Sequence, residues 1–562
     1  MKKLLLILLQ TILAYGAYAQ NILWAKQMGG TSYDYCRSIV VDTNGNIYAT
    51  GVYNDTADFD PGIGTKYLIS SGLADAFVTK MDDAGNLLWA KQISGTNDDY
   101  GQSIAIDGRG NVYTTGYFEE TTDFDPDTTI YNLSSAGGRD IFISKLDSSG
   151  NFVWAKRIGG ISGDDIGRSL AVDTKGNIYI TGNFYGIVDF DPGISTYNLT
   201  SILSDIFILK LDSSGNFQWV KQISGLDYDS GYSIVVDDSG NVYSTGTFMG
   251  IVDFDPNTGI NTLTSNNNSL DIYISKLNSF GELMWAKKMG GTGDDYGYSI
   301  AVSSGGNVYT TGSVSDSTAQ NDIIVFKNDE SGNLIWTKQM GGDISDYGFS
   351  IAIDKTENVF ITGSFLDTTD FDPGPGIFNL TTAGAADIFL SKLDSAGNFI
   401  QANQFGGIQS DVGNSVVVDF NGNIYVAGYF LGIVDFDPGI GINNLISAGY
   451  EDIFIVKLSD TPTGIAEKVI SKPIKDGFVF PNPVLNSTTI TFSLSQSENV
   501  SINIYDITGR LVKTFVEAKM QPGLQQLEWN GSDTNGNAAE AGIYFLKLCT
   551  STVEETVEIQ KL

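Results

Sequence analysis

Six Asp-Phe-Asp-Pro tetrads recur along the chain, beginning at Asp58, Asp123, Asp189, Asp253, Asp370 and Asp435. Their second carboxylates are Asp60, Asp125, Asp191, Asp255, Asp372 and Asp437. Residues i and i+2 of an extended chain lie on one side. Each pair, with carbonyls from the following turn, offers the hard oxygen donors that calcium takes. Calcium is the one cofactor the sequence raises. The pattern lacks the D-x-D-x-D-G continuity of a calcium loop, so the competing reading is a small hairpin. There Asp and Pro build the turn, and the Phe packs on an apolar residue such as Leu68.

Other repeated positions carry charge or rings. Asp34, Asp99, Asp165, Asp229, Asp295, Asp346 and Asp411 each precede a G-x-S segment, with Cys36 in place of the first glycine. They would form either an acidic ring around a mouth or a set of turn caps. Identity in every copy favours caps, because a ligand site usually breaks the symmetry of a repeat. Lys80, Lys145, Lys210, Lys276, Lys327, Lys392 and Lys457 read either as an anion-binding stripe or as buried stems with heads paired to aspartates. A Trp-x-Lys segment begins at Trp24, Trp89, Trp154, Trp219, Trp285 and Trp336. Its strict repetition points to packing rather than to sugar stacking.

Much chemistry is excluded. The chain has no histidine, which removes the usual nucleophile triads, histidine metal sites and pH switches. Its two cysteines, Cys36 and Cys549, fall in different proposed domains. A net charge of −34 is incompatible with nucleic-acid binding. Paired carboxylates can cleave glycosides, yet no aspartate is singled out by its surroundings. No catalytic residue is assigned, and the expectation is a protein that is not an enzyme.

The elements that hold these residues are repeats. The Trp-x-Lys segments and a degenerate Gln401-Ala402-Asn403 lie 65, 65, 65, 66, 51 and 65 residues apart, giving seven copies. Each copy holds four β-branched or aromatic runs, in the second copy 103–107, 111–118, 140–147 and 151–158. Asp-x-x-Gly-Asn turns join the first pair and the last pair, as at Asp107 and Asp147. Residues 205–212 are apolar on both faces, as in a sheet packed on both sides. The array opens with a last-strand sequence (21–28) and ends with a third-strand sequence (452–459). This predicts an all-β, seven-bladed β-propeller whose N-terminal strand completes the last blade, over residues 20–459.

The stretches G-G-x(3)-D-x-G-x-S, V-D-x-x-G-N-[IV]-Y-x-T-G and D-I-F-I-x-K-L-D-x-x-G-N-x-x-W resemble the SBBP-type β-propeller repeat of bacterial extracellular proteins. The resemblance implies a fold and little about function.

The chain begins as a signal peptide, 1–19, with Lys2 and Lys3 before an apolar run from Leu4 to Leu13. Cleavage is expected between Ala19 and Gln20. No transmembrane anchor is expected, since this run is short for a span. A polar linker, 460–477, precedes seven short alternating strands in 478–562, a small β-sandwich. That segment resembles the type A C-terminal sorting domain of the type IX secretion system. The resemblance rests on Pro481, Asn482, Pro483, Tyr505, Asp506, Gly509, Arg510, Gly523, Trp529, Gly542 and Tyr544. It implies recognition by the secretion translocon and a sortase-like peptidase, and delivery outside the cell or to the outer-membrane surface. The functional expectation is a non-enzymatic propeller binding an unknown extracellular glycan, protein or matrix ligand. The alternatives are a structural surface or biofilm component and, less favoured, a carboxylate-dependent glycan-active enzyme.

Overall fold

The computed structural model describes residues 20–460 except 128, 316–319 and 440. It also describes 474–561 except 481–486, 495–496, 508–509, 522, 535 and 550–553. The signal-peptide reading with Ala19, most of the linker, Pro481 to Pro483 and Gly509 lie outside the described residues. The chain divides into two compact units, Tyr18–Pro462 and a second containing Thr463–Leu562.

In the first unit the longer described strands form seven groups of four, each antiparallel throughout, and six short strands form three added hairpins, Ile251–Asp253 with Thr262–Thr264, Thr368–Asp370 with Asn379–Thr381 and Ile433–Asp435 with Asn444–Ile446. Group one is Tyr35–Val41, Ile47–Asp58, Tyr67–Met81 and Leu87–Gly95, paired in that order. Groups two to six repeat it, starting at Asp99–Ile106, Ile166–Val172, Ser230–Val236, Tyr296–Val302 and Tyr347–Ile353. Group seven takes Val412–Val418, Asn423–Phe430 and Asp452–Ser459 from the end of the array. Its fourth strand is Asn21–Gly30, which pairs with Asp452–Ser459 from Asn21↔Ser459 to Met28↔Ile453.

The Asp-x-x-Gly-Asn turns form for a local reason. Asp42 Oδ1 accepts the N–H groups of Asn44 and Asn46, and its Oδ2 accepts the Asn46 amide. Gly45 closes the turn at φ 82°, a conformation that glycine adopts without a Cβ penalty. Both faces of the strands are covered: Tyr48, Ala76 and Val78 of group one pack with Ile104, Val112 and Phe118 of group two in one buried cluster.

Neighbouring groups are also joined through hydrogen bonds. The serine of each G-x-S segment accepts an amide N–H from the next group's first strand. Ser38 accepts from Ile104, Ser103 from Leu170, Ser169 from Ile234 and Ser233 from Ile300. The series continues with Ser299 from Ile351, Ser350 from Val416, and Ser415 of group seven from Ile39 of group one. All first strands are alike in a second respect: each has a β-bulge at the residue between the glycine (or Cys36) and the serine.

The second unit has two antiparallel sheets. Ile474–Phe480, Thr488–Leu494 and Gly523–Trp529 make one. Leu511–Met520, Glu498–Asp506, Gly542–Cys549 and Glu554–Lys561 make the other. Ile490 and Trp529 from the first sheet share a core with Ile502, Ile504 and Leu546 from the second. No helix among the described residues is long and apolar enough to cross a membrane.

Candidate functional site

The bulges set the geometry of the site. A bulge leaves one residue outside the ladder and re-aims its side chain. In chain order those residues are Arg37, Gln102, Arg168, Tyr232, Tyr298, Phe349 and Asn414. The glycine before and serine after are framework, and the residue between varies. Three consecutive groups present rings: Tyr232, Tyr298 and Phe349, with centroids 5.7 Å and 5.3 Å apart in succession. Their neighbours present amides and guanidinium groups. Arg37, Gln102, Tyr298, Phe349 and Asn414 meet around a pocket of about 410 Å³, with Tyr347, Ser364, Val412 and Tyr429 beside them.

Two of the bulge residues are arginines, and the two are held differently. Arg37 makes no ion pair among the described residues, and its Nε is buried without a hydrogen-bond partner. Its guanidinium stands 5.4 Å from the centre of the Tyr35 ring. Arg168 lies over Tyr232 at 4.9 Å and donates from Nε to Asn183 Oδ1 at 2.9 Å. The sequence reading passed over all seven bulge positions. Aligning the copies on G-x-S exposes them, as the variable residue between a glycine or Cys36 and an invariant serine.

The D-F-D-P tetrads sit at the junctions between groups. Gly29 and Gly30 pair with Asp58 and Ala57, and equivalent contacts join Ser94 to Asp123, Gly159 to Asp189 and Gly341 to Asp370. Isolated bridges link Ser224 to Asp253 and Gly406 to Asp435. The second glycine of G-G is required here, because a Cβ on Gly30 would lie 2.1 Å from Thr56 O. Phe59 is fully buried, 5.4 Å from Tyr53 and 4.9 Å from Phe77, in the cluster that includes Leu68. Asp58 Oδ1 accepts N–H groups from Asp60 and Lys66, and Asp60 Oδ1 accepts from Gly62. The same bonds recur at Asp123, Asp189, Asp253, Asp370 and Asp435. One oxygen of each carboxylate is thus held by backbone donors. Among the described residues no group of three or more carboxylates gathers to hold a metal. Asp58 and Asp60 also edge a second cavity of about 340 Å³ beside Lys26.

The aspartates before G-x-S are fully buried rather than lining a mouth. Asp34 Oδ2 accepts from Gly30 N at 2.7 Å and Oδ1 from Asn54 N at 3.1 Å. Each faces a second aspartate from a neighbouring third strand, buried in all but Asp322 beside Asp346, whose charge adds to the cost of ionisation: Asp34 with Asp452, Asp99 with Asp75, Asp229 with Asp205. Burial drives Asp34, Asp99 and Asp229 up to about 8, and Asp75, Asp205 and Asp452 up to about 6. Two pairs contain a cation: Arg157 meets Asp140 at 2.8 Å and Lys288 meets Asp271 at 3.2 Å. In four others a glutamine donates there, as Gln27 does to Asp452 at 2.6 Å, Gln222 to Asp205, Gln339 to Asp322 and Gln404 to Asp387.

The repeated lysines and tryptophans clasp adjacent groups. Lys145 Nζ lies 4.8 Å from the centre of its own group's Tyr113 ring and donates to Ser213 O of the next group at 3.0 Å. Lys457 of group seven reaches Asp83 of group one. Trp219 donates to Ser279 O of the next group, and Trp24 of group seven to Asp83 O of group one. Gln20 accepts from the Asn403 amide at 2.6 Å.

In the second unit Trp529 is buried, donates to Ser532 O at 2.9 Å, and stands 5.4 Å from the Tyr544 ring. Tyr544 donates to Glu540 O, and Arg510 closes a turn on Asp506 at 3.0 Å. Tyr505 and Asp506 pair with Phe545 and Tyr544, and Gly523 and Gly542 begin strands.

Six segments, 23–52, 88–117, 153–183, 218–247, 335–364 and 402–429, match the β-propeller repeat family SBBP. The chain thus carries SBBP β-propeller repeats. Residues 485–553 match the FlgD Ig-like domain family. An uncharacterized WD repeat-containing protein of Acanthamoeba polyphaga mimivirus is 26% identical over 437 residues, covering 61% of this chain and 31% of that protein. The regulatory protein FlaEY of Caulobacter vibrioides is 28% identical over 160 residues, covering 28% of this chain and 16% of that protein. The chain spans less than a third of the length of either relative. Among solved structures, PorZ of Porphyromonas gingivalis, a surface component of the type IX secretion system, is 14% identical at a TM-score of 0.29. That match covers 95% of this chain and 74% of PorZ. Sqt1 from Chaetomium thermophilum is 11% identical at 0.39, covering 79% of this chain and all of that one. Superpositions this loose carry no argument about function.

Proposed function

We propose that this protein is an exported, non-enzymatic binding protein, a seven-bladed propeller closed by its N-terminal strand. It takes a glycan, protein or matrix ligand in the pocket between its first strands. The observation that carries the reading is the asymmetry of the bulge residues on a framework that otherwise repeats. A scaffold that repeats does not by itself call for five side-chain types at one position. The lining contains no carboxylate or thiol to serve as acid, base or nucleophile. The hydrogen bond from Ile39 to Ser415 and the pairing of Asn21–Gly30 with Asp452–Ser459 support the closed ring.

The C-terminal β-sandwich is the sorting signal in this reading, acting with the signal peptide, the type IX translocon and a sortase-like peptidase. Its support is the motif at Tyr505, Asp506, Arg510, Trp529 and Tyr544, built on a small two-sheet domain. The binding test is an array of polysaccharides and matrix proteins, probed with the purified protein with calcium and with chelator. A specific hit that is lost in Asn414→Trp, which fills the pocket, supports the reading. A hit indifferent to that change overturns the pocket. Deleting residues 478–562 should strand the protein in the periplasm, and normal surface display of that variant would end the sorting proposal.

A further inference from the structure

Resting on the binding reading above, we propose that the pocket's ligand is an acidic saccharide. A sugar ring lies against Tyr298 and Phe349, and its carboxylate meets Arg37.

Three observations lead there. First, the polarity of the pocket is divided. Tyr298 and Phe349, from consecutive groups, supply aromatic rings, while Asn414, Arg37 and Gln102, consecutive around the array, supply polar groups. A ligand that satisfies both needs an apolar face and a polar edge, which is the geometry of a pyranose stacked on an aromatic residue.

Second, Arg37 is unpaired in a chain with 66 acidic and 32 basic side chains. Most of the chain's other half-buried cations clasp a carbonyl, ring or carboxylate of the scaffold, as Lys145 and Lys457 do. Arg37 has only the Tyr35 ring, and its buried Nε has no acceptor. A carboxylate in the pocket would meet the terminal N–H groups of the guanidinium and supply the missing charge.

Third, the rest of the lining suits hydroxyl groups. Asn414 commits one amide hydrogen to Cys36 O at 2.8 Å, and its Oδ1 is left to accept. Gln102, Ser364 and Tyr429 stand beside it. A simple aromatic acid would leave these groups unmatched, whereas a hydroxylated ring uses them. The volume of about 410 Å³ falls within the range of small-molecule sites, roughly 300–1,000 Å³, and holds one or two sugar rings.

The test is calorimetric titration of the purified protein with trigalacturonate and with galactotriose, which share the ring and differ in the carboxylates. Physiological ionic strength screens the distant carboxylates of the protein and leaves contact pairs intact. Trigalacturonate should bind at least tenfold more tightly than galactotriose. Arg37→Gln should remove that difference, and Arg37→Lys should restore part of it. Equal affinity for the two sugars, or a preference that survives Arg37→Gln, overturns the proposal. Binding of neither sugar overturns it too, and a pocket-dependent hit on the ligand array would then leave the binding reading standing alone. The wild-type comparison decides the question even where a variant fails to fold.

Discussion

Asp452→Asn should leave the protein nearly unchanged at pH 4 and make it more stable at pH 8. Asp452 is fully buried. Its Oδ2 accepts from Gln27 at 2.6 Å and from Ala448 N at 2.9 Å, while its Oδ1 has no partner. That oxygen and Asp34 Oδ2 crowd the same glycine: a Cβ on Gly29 would lie 2.6 Å from one and 3.0 Å from the other. Burial lifts Asp452 from 3.8 to about 6 and Asp34 to about 8. The native state therefore holds protons between pH 4 and 8 that the unfolded chain has released. Stability contributed by these groups falls as pH rises through that window. For Asp452 a rise of about two units, at about 1.36 kcal/mol each, corresponds to roughly 3 kcal/mol at pH 8. Asparagine keeps the acceptor for Gln27 and places a donor where Oδ1 faced Asp34. The expected gain is about 2–3 kcal/mol at pH 8 and near zero at pH 4. Urea unfolding followed by tryptophan fluorescence at both pH values measures it, since six of the seven tryptophans lie in the repeats. The range should not extend lower. Despite the opposing effect of burial, hydrogen bonds from Asn111 and its neighbours hold Asp107 low, and such groups lose stabilisation on acidification. A variant less stable than wild type by the same amount at both pH values would refute the reasoning, since the carboxylate would then serve as an acceptor only.

Closure of the ring predicts that Ser415→Ala and Ser169→Ala cost the same, about 1–2 kcal/mol each, because each orphans one buried amide; a much smaller cost at Ser415 in urea unfolding would argue for an open array. Deleting residues 20–28 should lower the melting temperature sharply, since group seven loses its fourth strand, and an unchanged melting curve would contradict closure. Glu357→Gln should cost about 1–2 kcal/mol, because Glu357 pairs with Lys327 at 3.0 Å and accepts from Tyr309 at 2.7 Å; unfolding of the variant at neutral pH checks this. Calcium should not raise the melting temperature over chelator, because the D-F-D-P carboxylates already accept backbone N–H groups; a calcium-dependent rise would return the metal to those loops.

The repeat, the turns and the all-β character were legible because each is local. Asp42 and Gly45 fix a turn within five residues, and the strand runs between such turns are apolar on both faces. The Asp34–Asp452 pair was not legible, since its members are far apart in the chain and meet only through strand pairing. Glu357 shows a related limit. In the first turn of group five Ser303 stands where other copies have the turn aspartate. Glu357, at φ 62° in the next group's glycine position, reaches across to Asn307 and Tyr309 instead. The carboxylate is restored from another repeat, so a reading copy by copy sees one defect and one oddity rather than a single exchange.

The division between what repeats and what varies bears on function more directly than any single motif. Gly101 and Ser103 are constrained by contacts that recur, the serine's in all seven groups and the glycine's in all but the first: a Cβ on Gly101 would sit 2.2 Å from Thr50 Oγ1, and Ser103 holds the amide of Leu170. Gln102 between them is released from the ladder by the bulge, so neither strand pairing nor the junction between groups selects its side chain. Arg37, Arg168, Tyr232, Tyr298, Phe349 and Asn414 are released from the ladder in the same way. Seven positions free of ladder pairing could all have been small and polar. Instead they carry three consecutive rings, and two arginines without an ion pair in a strongly acidic chain. The rings touch one another across the junctions and Arg168 binds Tyr232 and Asn183, whereas Arg37 leaves its Nε unsatisfied. Arg37, which costs stability at a position outside the ladder, is the residue on which the proposed binding role bears most directly.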